Sequence, residues 1–456
     1  MGLFRRAPNA ETQDEPVDQV PRLGELPPLD DDGRCSFDDY RDYLLGLAEP
    51  LTPFGMSLID AWGRTLCEDI KGYGDVPPVA VAEVDGYAIS FADAAKVKPG
   101  VRPTFSLAGA PRRAVTDDES PQEGDDILAI TDASTNGRAV RVRAGEDMPA
   151  GTDTVVSNDD VIVDTSGIQV TLRARAIEGD WVRAPGTEAK NDELLMAAGT
   201  VLDDRSAALL AAAGFDRVLA RPRTRVAIVR VNDSQTQRSD GGRRGSYGVN
   251  LISGAAQADG ASVWRAEIDL VALDAARERL SDELVRSDMV MTIGGLSNAC
   301  ADPRLISLLG EMGDVEVMSV AMQPGCRHGF GVIGDDDTPV VMLPDDATAL
   351  LVAYHAFARP VLRKLMGTEP FAHEPMLCFA ERDFDSAAGI TQLVPCRLRQ
   401  DGNRYLASEI VPRRHSWLTT LVAADALVVL PAGKHRLYAG EAMACWLLGD
   451  QRAVVG

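Results

Sequence analysis

The stretch VVMLPDDATALLVAY, from Val340 to Tyr354, predicts a buried strand that turns sharply into a helix. The backbone N–H groups at the start of such a helix commonly hold an anion. In this chain the turn carries Asp345 and Asp346, which are themselves anions. The surrounding sequence indicates which fold contains this turn and why the turn carries two carboxylates.

The order of strand and helix recurs between residues 206 and 368. The helix SAALLAAAGF is followed by the apolar runs RVAIVRV, ASVWRAEI, DMVMTI, VEVMSVAM and PVVMLP, which predict strands, and helical patterns separate most of them. One of these helices, LDAARERLSDELV, should place Leu280, Leu284 and Val285 on a single face. Alternating strands and helices predict a doubly wound, mostly parallel sheet whose ligands lie beyond the carboxyl ends of its strands.

The rest of the chain predicts an α/β multidomain protein. Residues 1–35 are rich in Pro, Asp and Glu and should form a disordered leader, and a helix should begin after a cap at Ser36. Short strands with turn signals predict a small β domain and a C-terminal β barrel. The expected boundaries are 1–35 for the leader, 36–88 shared with 166–205 for domain I, 89–165 for domain II, 206–368 for domain III and 369–456 for domain IV.

Composition excludes several classes of protein. The 456 residues carry a formal net charge of -23, which repels nucleic-acid phosphates, and no apolar run is long enough to span a membrane. The seven cysteines are scattered and include no C-x-x-C pair, so neither a disulfide framework nor a zinc site is indicated. No apolar run follows the arginines near the start, so we expect no signal peptide and a cytoplasmic location.

Nine segments, in sequence order between about Ser36 and Asp450, resemble one family. The family is the molybdopterin molybdenumtransferases, which include MoeA and the E domain of gephyrin. The segments are AWGRTLCEDI, DVPPVAVAEVDGYAISFADAA, MPAGTDTVV, RAPGTEA, RVAIVRVNDS, DMVMTIGGLSNACADP, VAMQPGCRHGFG, VVMLPDDATALLVAYHAFARPVLRKLMG and LTTLVAADALVVLPAG.

This resemblance implies an elongated homodimer of four-domain subunits. Members of the family insert molybdate into adenylated molybdopterin with a divalent metal and release AMP, in a cleft between the doubly wound domain and the partner subunit. The resemblance to gephyrin also implies that the scaffold can bind the tail or loop of another protein. An enzyme and a noncatalytic scaffold are therefore competing predictions.

Three acidic residues match the family's site: Asp85, Asp233 and Asp302. The resemblance implies catalytic roles for all three, and roles as Mg²⁺ ligands for Asp233 and Asp302 if the protein is active. Carboxylates suit these roles because they hold hard cations and orient water. A turn aspartate preceding Gly86 is the alternative interpretation of Asp85.

Other positions near these acidic residues depart from the family pattern. Asp233 is the one residue left of a Ser-Thr-Gly-Asp-Glu motif, and Ala144 stands where the family has threonine. Two further motifs have lost polar or acidic side chains. They are represented here by Val79, Ala80, Val81, Ala82, Glu83 and Val84, and by Gly186, Thr187 and Glu188.

The anion-binding side departs further. The family's Lys-Pro-Gly-Lys-Pro loop matches residues 323–327, where Gln323 and Cys326 replace the two lysines, and Leu305 replaces another lysine. Cys326 is not predicted to be a nucleophile, because the sequence places only His328 beside it. The positions that the resemblance assigns to ligand binding, predicted here to be impaired, are Gly294, Gly295, Ser297, Arg327, Asp345 and Asp346.

We call residues 345–346, between the strand and the helix of the quoted stretch, the opening turn. Its carboxylates have a physical explanation. Asp345, Asp346 and Ala347 replace the family's Gly-Asn-Pro, and a carboxylate at a helix start accepts the free N–H groups itself. An incoming oxyanion would meet about 4 kcal/mol of repulsion from each carboxylate at about 4 Å and an effective dielectric of about 20. We therefore predict that a dianion does not bind here; the alternative is a metal ion that bridges a carboxylate to phosphate.

The favoured prediction is a noncatalytic dimeric scaffold without a cofactor, which binds a tail or loop peptide of a partner protein, with bacterial cell division as a candidate setting. Arg413, Arg414 and His415 either bind an acidic peptide or form a solvated basic edge of the barrel. One alternative is an active molybdopterin molybdenumtransferase that uses Mg²⁺. Another is an enzyme with a less anionic substrate.

Overall fold

A computed structural model describes residues 22–98, 101–108, 137–165, 167–232, 243–410 and 417–449. Asp233, the segment 413–415 and most of the predicted leader lie outside these ranges. The chain divides into two compact units. Unit one comprises residues 1–54, 63–65 and 220–456, and unit two comprises residues 55–62 and 66–219.

The bounds of the described elements are as follows. The helices are α1 (Phe37–Leu47), α2 (Leu58–Ala61), α3 (Phe91–Ala95), α4 (Asp204–Ala212), α5 (Arg243–Ala258), α6 (Leu273–Leu284), α7 (Pro303–Gly310), α8 (Ala347–Ala353), a π-helical segment (Tyr354–Ala358), α9 (Arg359–Leu365) and α10 (Trp417–Ala423), with a 3₁₀ turn at Asn158–Asp160. The strands are β1 (Phe54–Ser57), β2 (Ile70–Lys71), β3 (Val81–Ala82), β4 (Gly86–Ile89), β5 (Thr104–Leu107), β6 (Arg138–Val142), β7 (Thr154–Ser157), β8 (Val161–Val163), β9 (Gln169–Leu172), β10 (Val182–Arg183), β11 (Leu194–Met196), β12 (Arg217–Ala220), β13 (Arg225–Asn232), β14 (Ser262–Asp269), β15 (Met289–Ile293), β16 (Gly313–Ser319), β17 (Met322–Gln323), β18 (Arg327–Ile333), β19 (Thr338–Leu343), β20 (Met376–Ala380), β21 (Phe384–Asp385), β22 (Thr391–Asp401), β23 (Arg404–Glu409), β24 (Ala426–Leu430), β25 (Arg436–Leu437) and β26 (Ala442–Leu447).

The centre of unit one is a six-stranded sheet in the order β14-β13-β15-β19-β18-β16. The first four strands are parallel, and β18 and β16 continue the sheet in antiparallel fashion. Side chains of β13 alternate between two cores, with Val226 and Ile228 in one and Ala227 and Val229 in the other. Apolar cover on both faces explains why these strands are continuous hydrophobic runs, and the predicted doubly wound, mostly parallel sheet is confirmed.

In this unit one strand was not predicted and one local prediction is wrong. Strand β18, which contains Gly329 and Gly331, was not among the predicted strands because glycine disfavours strands. A β-carbon on Gly331 would lie 2.6 Å from the carbonyl oxygen of Asp314, so the glycine permits close approach of the neighbouring strand. Val285 is 86% exposed and follows the last residue of α6, so it does not share the buried face of Leu280.

Unit one contains structured residues before Ser36. Ser36 caps α1 by accepting a hydrogen bond from the backbone N–H of Asp39 at 3.1 Å, as predicted. Upstream, Leu23 and Cys35 are buried in the same core as α1, and the N–H of Cys35 donates to the carbonyl of Ser319 at 2.8 Å. The segment from residue 22 to 35 is therefore structured, in contrast to the disorder expected of the whole leader.

The C-terminal part of unit one is a closed five-stranded barrel. Strands follow the order β22-β23-β20-β26-β24, and β24 pairs back onto β22. The short strand β17 joins the barrel by parallel pairing of Met322 with Thr391 and of Gln323 with Gln392. This closure confirms the predicted C-terminal barrel.

Unit two contains a six-stranded sheet in the order β7-β4-β6-β5-β9-β8. Its core includes Ile89, Phe105, Val170 and Leu172. Strands here are short, three to five residues, and their turns carry glycines with positive φ, which fits the predicted small β domain. Across the described ranges, no helix is long and apolar enough to cross a membrane.

Candidate functional site

The carboxyl ends of β13, β15 and β19 lie side by side in the sheet, and the turns that follow β15 and β19 meet there. The N–H of Gly294 donates to the carbonyl of Leu343 at 3.3 Å. Gly294 has φ +98°, and a β-carbon on it would lie 2.9 Å from the carbonyl oxygen of Val231 in β13. Glycine is required at this position because three strand ends converge on it.

The turn from 294 to 302 is held by its own polar groups. The N–H of Asp302 donates to the carbonyl of Gly295 at 2.7 Å, and Ser297 Oγ accepts from the N–H of Cys300 at 3.2 Å. These bonds close the turn on itself. The Ser297 hydroxyl is also 3.0 Å from the Cys300 carbonyl, so its predicted role in ligand binding competes with a structural one.

Asp302 caps α7 and forms an ion pair with Arg304. Its Oδ1 accepts from the backbone N–H of Arg304 at 2.9 Å and from Nε at 3.0 Å, and its Oδ2 accepts from Nη2 at 2.6 Å. These hydrogen bonds, above all that of the guanidinium, hold the pKa of Asp302 below its usual value. Both carboxylate oxygens are thus already bonded to the guanidinium of Arg304, which opposes their use as ligands of a cation.

The loop from 323 to 327 packs against both turns. The N–H of Cys326 donates to Asn298 Oδ1 at 3.2 Å, and a β-carbon on Gly325 would lie 3.1 Å from that of Ala349. Gly325 has φ +78°, the left-handed region that favours glycine. The three segments that the resemblance assigns to ligand binding are therefore adjacent in the structure.

His328 is not placed as a base for Cys326. His328 Nε2 lies 2.8 Å from the carbonyl of Gly325, and burial lowers its pKa to about 4, so the imidazole is uncharged at neutral pH. Arg327 begins β18, and its buried Nε has no hydrogen-bond partner among the described residues.

The opening turn is capped from within, as the sequence predicts. Asp346 is the N-cap of α8, and its Oδ1 accepts from the backbone N–H of Ala349 at 2.9 Å. The carbonyl of the neighbouring Asp345 accepts from the hydroxyl of Tyr247 at 2.6 Å. Both aspartates are exposed.

Asp85 lies in unit two, in the turn before β4. Its Oδ1 accepts from the backbone N–H of Ala144 at 2.9 Å. The following Gly86 would place a β-carbon 2.2 Å from the carbonyl oxygen of Val156. This is the geometry of a turn aspartate before an obligatory glycine, the alternative interpretation of this residue.

The described residues do not fit a magnesium ion. No group of three or more His, Cys, Asp or Glu side chains that could hold a metal occurs within them. Asp302, the one described member of the predicted pair of ligands, is bonded through both oxygens to Arg304.

Two contacts at the site escaped the sequence analysis. Asn298 bonds Cys326 and Tyr247 bonds Asp345 across 28 and 98 residues of sequence. Asn298 is a polar residue directly after the predicted glycine turn, and this position could have indicated a role at the site. Tyr247 gives no local signal, because its partner is a backbone carbonyl.

Comparisons with known proteins agree with this architecture. The family model for the MoeA N-terminal region (domain I and II) matches residues 35–214, and that for the MoeA C-terminal region (domain IV) matches residues 380–448. The molybdopterin molybdenumtransferase 1 of Mycobacterium tuberculosis (strain H37Rv) is 29% identical over 409 residues, which cover 85% of this chain and 93% of that protein. The molybdopterin molybdenumtransferase of Bacillus subtilis (strain 168) is 24% identical over 410 residues, 87% of this chain and 90% of that protein.

Solved structures show the same fold. Two crystal structures of the molybdopterin biosynthesis MoeA protein from Pyrococcus horikoshii have TM-scores of 0.67 and 0.64 to this chain, at 21% and 18% identity. Each covers 91% of this chain, which spans 100% of each of theirs. Family models at both ends of the chain, relatives along most of its length and a shared fold lead to one conclusion: the chain belongs to the MoeA family and is a divergent member of it.

Proposed function

We propose that this chain is a noncatalytic MoeA-family scaffold that does not insert molybdate. One observation carries the proposal: the turn before α8, where the resemblance places an oxyanion, holds two exposed carboxylates, and that of Asp346 is fixed there by its bond to the N–H of Ala349. A neutral asparagine would make the same cap, so the negative charge of Asp346, and not the capped N–H group, is what opposes an oxyanion.

The charges around this cap support the proposal. Asp345 and Asp346 would repel a dianion, and Gln323 stands where the resemblance expects a lysine. Gln323 Oε1 instead accepts from Gln392 Nε2 at 3.1 Å, which ties it to the barrel.

A scaffold must bind something other than the cofactor precursor. We propose a homodimer that works in the cytoplasm and receives a tail or loop peptide of a partner protein, with cell division as a candidate setting. The basic segment Arg413–His415 is the proposed contact for an acidic peptide, and it lies outside the described residues. No cofactor, nucleic acid or membrane insertion is part of this proposal.

Calorimetry with the purified chain tests the loss of the oxyanion site. We expect no heat of binding with molybdate or AMP at millimolar concentration, whereas the M. tuberculosis molybdopterin molybdenumtransferase 1, as the positive control, should bind. Saturable binding of either ligand by this chain would overturn the proposal.

The similarity to proteins named molybdopterin molybdenumtransferases favours one alternative, an active enzyme. It would use Asp85, Asp233 and Asp302 with Mg²⁺ to insert molybdate. Complementation of a strain without its own enzyme decides between the two: restored molybdoenzyme activity supports the alternative, and failure with soluble protein present supports the scaffold.

A further inference from the structure

A cavity of about 920 Å³ in unit one is lined by neither Asp345 nor Asp346. Helix α5, the continuous α8 to α9 helix, α10 and the end of β26 form its walls. Its polar lining includes Asp259, His355, Arg359, Arg363 and His373. The volume is in the range of cavities that hold small organic molecules.

The carboxylate in this cavity is fully engaged. Asp259 Oδ1 accepts from Arg359 Nε at 2.8 Å, and Oδ2 accepts from the hydroxyl of Tyr354 at 2.7 Å. Asp259 and Arg359 are each 14% exposed, so their charges neutralise each other at close range with little solvent between them.

Among the residues that the structure describes, no carboxylate forms an ion pair with Arg363, so its positive charge is not paired there. Its Nε donates to the carbonyl of Pro370 at 2.8 Å, and it lies one helical turn from Arg359, so the two like charges repel. Burial, followed by the charge of Arg359, lowers the pKa of Arg363. With one carboxylate against two guanidiniums, the described lining carries a net charge of about +1.

The two histidines add no charge. His355 Nδ1 and His373 Nε2 are 2.9 Å apart, and His373 stacks on Trp446. Burial lowers the pKa of His355 to about 4 and also lowers that of His373, so both imidazoles are neutral at physiological pH. The pair offers hydrogen-bonding capacity without changing the charge balance.

The rest of the lining is mostly apolar. Leu351, Leu421, Val422 and Leu447 contribute to it, and Val422 is 90% exposed. An apolar wall beside one unbalanced guanidinium favours a ligand with a single negative charge on an apolar body, and it disfavours a compact dianion such as molybdate.

We propose that this cavity binds a carboxylate carried on an apolar body, with the carboxylate beside Arg363 and the apolar part along Leu421 and Val422. The ligand is either a free organic acid or the terminal carboxylate of a peptide, since both present the same chemistry. The proposal does not rest on the loss of the oxyanion site, because neither Asp345 nor Asp346 lines this cavity.

Titration calorimetry of the full chain tests the charge requirement. Octanoate and N-acetyl-leucyl-leucine are the acidic probes, and their neutral amides are the controls. We expect at least one acid to bind at low millimolar concentration and its amide to bind at least about tenfold more weakly, the loss typical of a charged hydrogen bond. Which acid binds more tightly identifies the source of the carboxylate. Equal binding of acid and amide, or no binding of either acid, would overturn the proposal.

Two matched variants locate the site. Val422→Glu adds a negative charge at the cavity and should weaken binding of the acid about fivefold or more, because it places a like charge beside the ligand. Val285→Glu adds the same charge at a valine that is 86% exposed and does not line this cavity, so it should leave the affinity unchanged. Equal effects of both variants would show that the acid binds elsewhere.

Arg363→Met provides a second measure, because it removes the charge and retains an apolar stem. It should abolish the preference for acid over amide while the amide still binds. Retention of the full preference in a folded Arg363→Met protein would contradict the assignment of Arg363.

Discussion

The carboxylate of Asp346 and the backbone N–H of Ala349 are joined by a hydrogen bond of 2.9 Å. This bond closes the start of α8, at the carboxyl edge of a parallel sheet, where ligands of doubly wound folds usually bind. The same aspartate therefore stabilises the helix and charges the site, and the two effects can be separated by mutation.

Asp346→Ala should lower the free energy of unfolding by about 0.5–2 kcal/mol, because the cap is lost. Asp346→Asn should cost only a few tenths of a kcal/mol, because asparagine caps as well as aspartate. Urea denaturation followed by circular dichroism measures both. Equal losses for the two variants would show that the charge, and not the cap, is what stabilises the turn.

Restoring the family's residues should restore oxyanion binding. We expect the variant Gln323→Lys, Cys326→Lys, Asp345→Gly, Asp346→Asn to bind molybdate or AMP in calorimetry where the parent chain does not, because repulsion is removed and two cations are added. A control variant, Asp335→Asn with Asp336→Asn, removes two exposed charges from the turn that precedes β19, at the opposite end of the strand, and should bind neither ligand. Equal gains in both variants would mean that net charge alone governs binding.

Gly325→Ala should destabilise the protein more than Gly402→Ala. Both glycines have positive φ, which costs a residue with a β-carbon roughly 1–2 kcal/mol. A β-carbon at Gly402 meets nothing within 4 Å, whereas one at Gly325 meets Ala349 at 3.1 Å in a buried helix. Thermal unfolding midpoints compare the pair. A larger loss for Gly402→Ala would contradict the close packing of the loop against α8.

Asp302 should contribute stability that depends on pH. Its pKa is lowered in the folded protein, so its contribution is fully present above the unfolded value near 3.8 and is lost as the pH falls through the lowered value. Asp302→Asn keeps a cap but cannot ionise, so the wild-type advantage in melting temperature should shrink as the pH falls below about 4.

The partner of Asp302 supplies the control for that measurement. In an Arg304→Met background, Asp302→Asn should show a much weaker pH dependence, because the main cause of the lowered pKa is gone. A difference in melting temperature that stays constant with pH in the wild-type background would contradict the ion pair.

The sequence predicted the elements whose signals are local. The apolar runs of β13, β15 and β19 and the serine before α1 carry their own periodicity or capping chemistry, and the aspartate at the opening turn caps its helix as expected. Strand β18 was missed because glycine has a low strand propensity. Gly329 and Gly331 are nevertheless suited to this strand, because a β-carbon at either position would collide with a neighbouring strand.

The candidate site was less predictable, because its residues have alternative partners. The match of Asp302 to a metal ligand is visible in the sequence, but its capture by Arg304 depends on the orientation of two side chains at a helix start. The bond from Tyr247 to the carbonyl of Asp345 joins positions far apart in sequence. Neither propensity nor spacing encodes such contacts.

The pairing of β17 with β22 has a mechanical consequence. Residues Met322 and Gln323 are bonded into the barrel, and two residues later Gly325 presses on the first turn of α8. Moving the barrel away from the sheet would have to break the β17–β22 backbone pairing, or it would displace the loop from 323 to 327 that packs against α8. A protein that bound the barrel and tilted it would therefore also move the loop that contacts the candidate site.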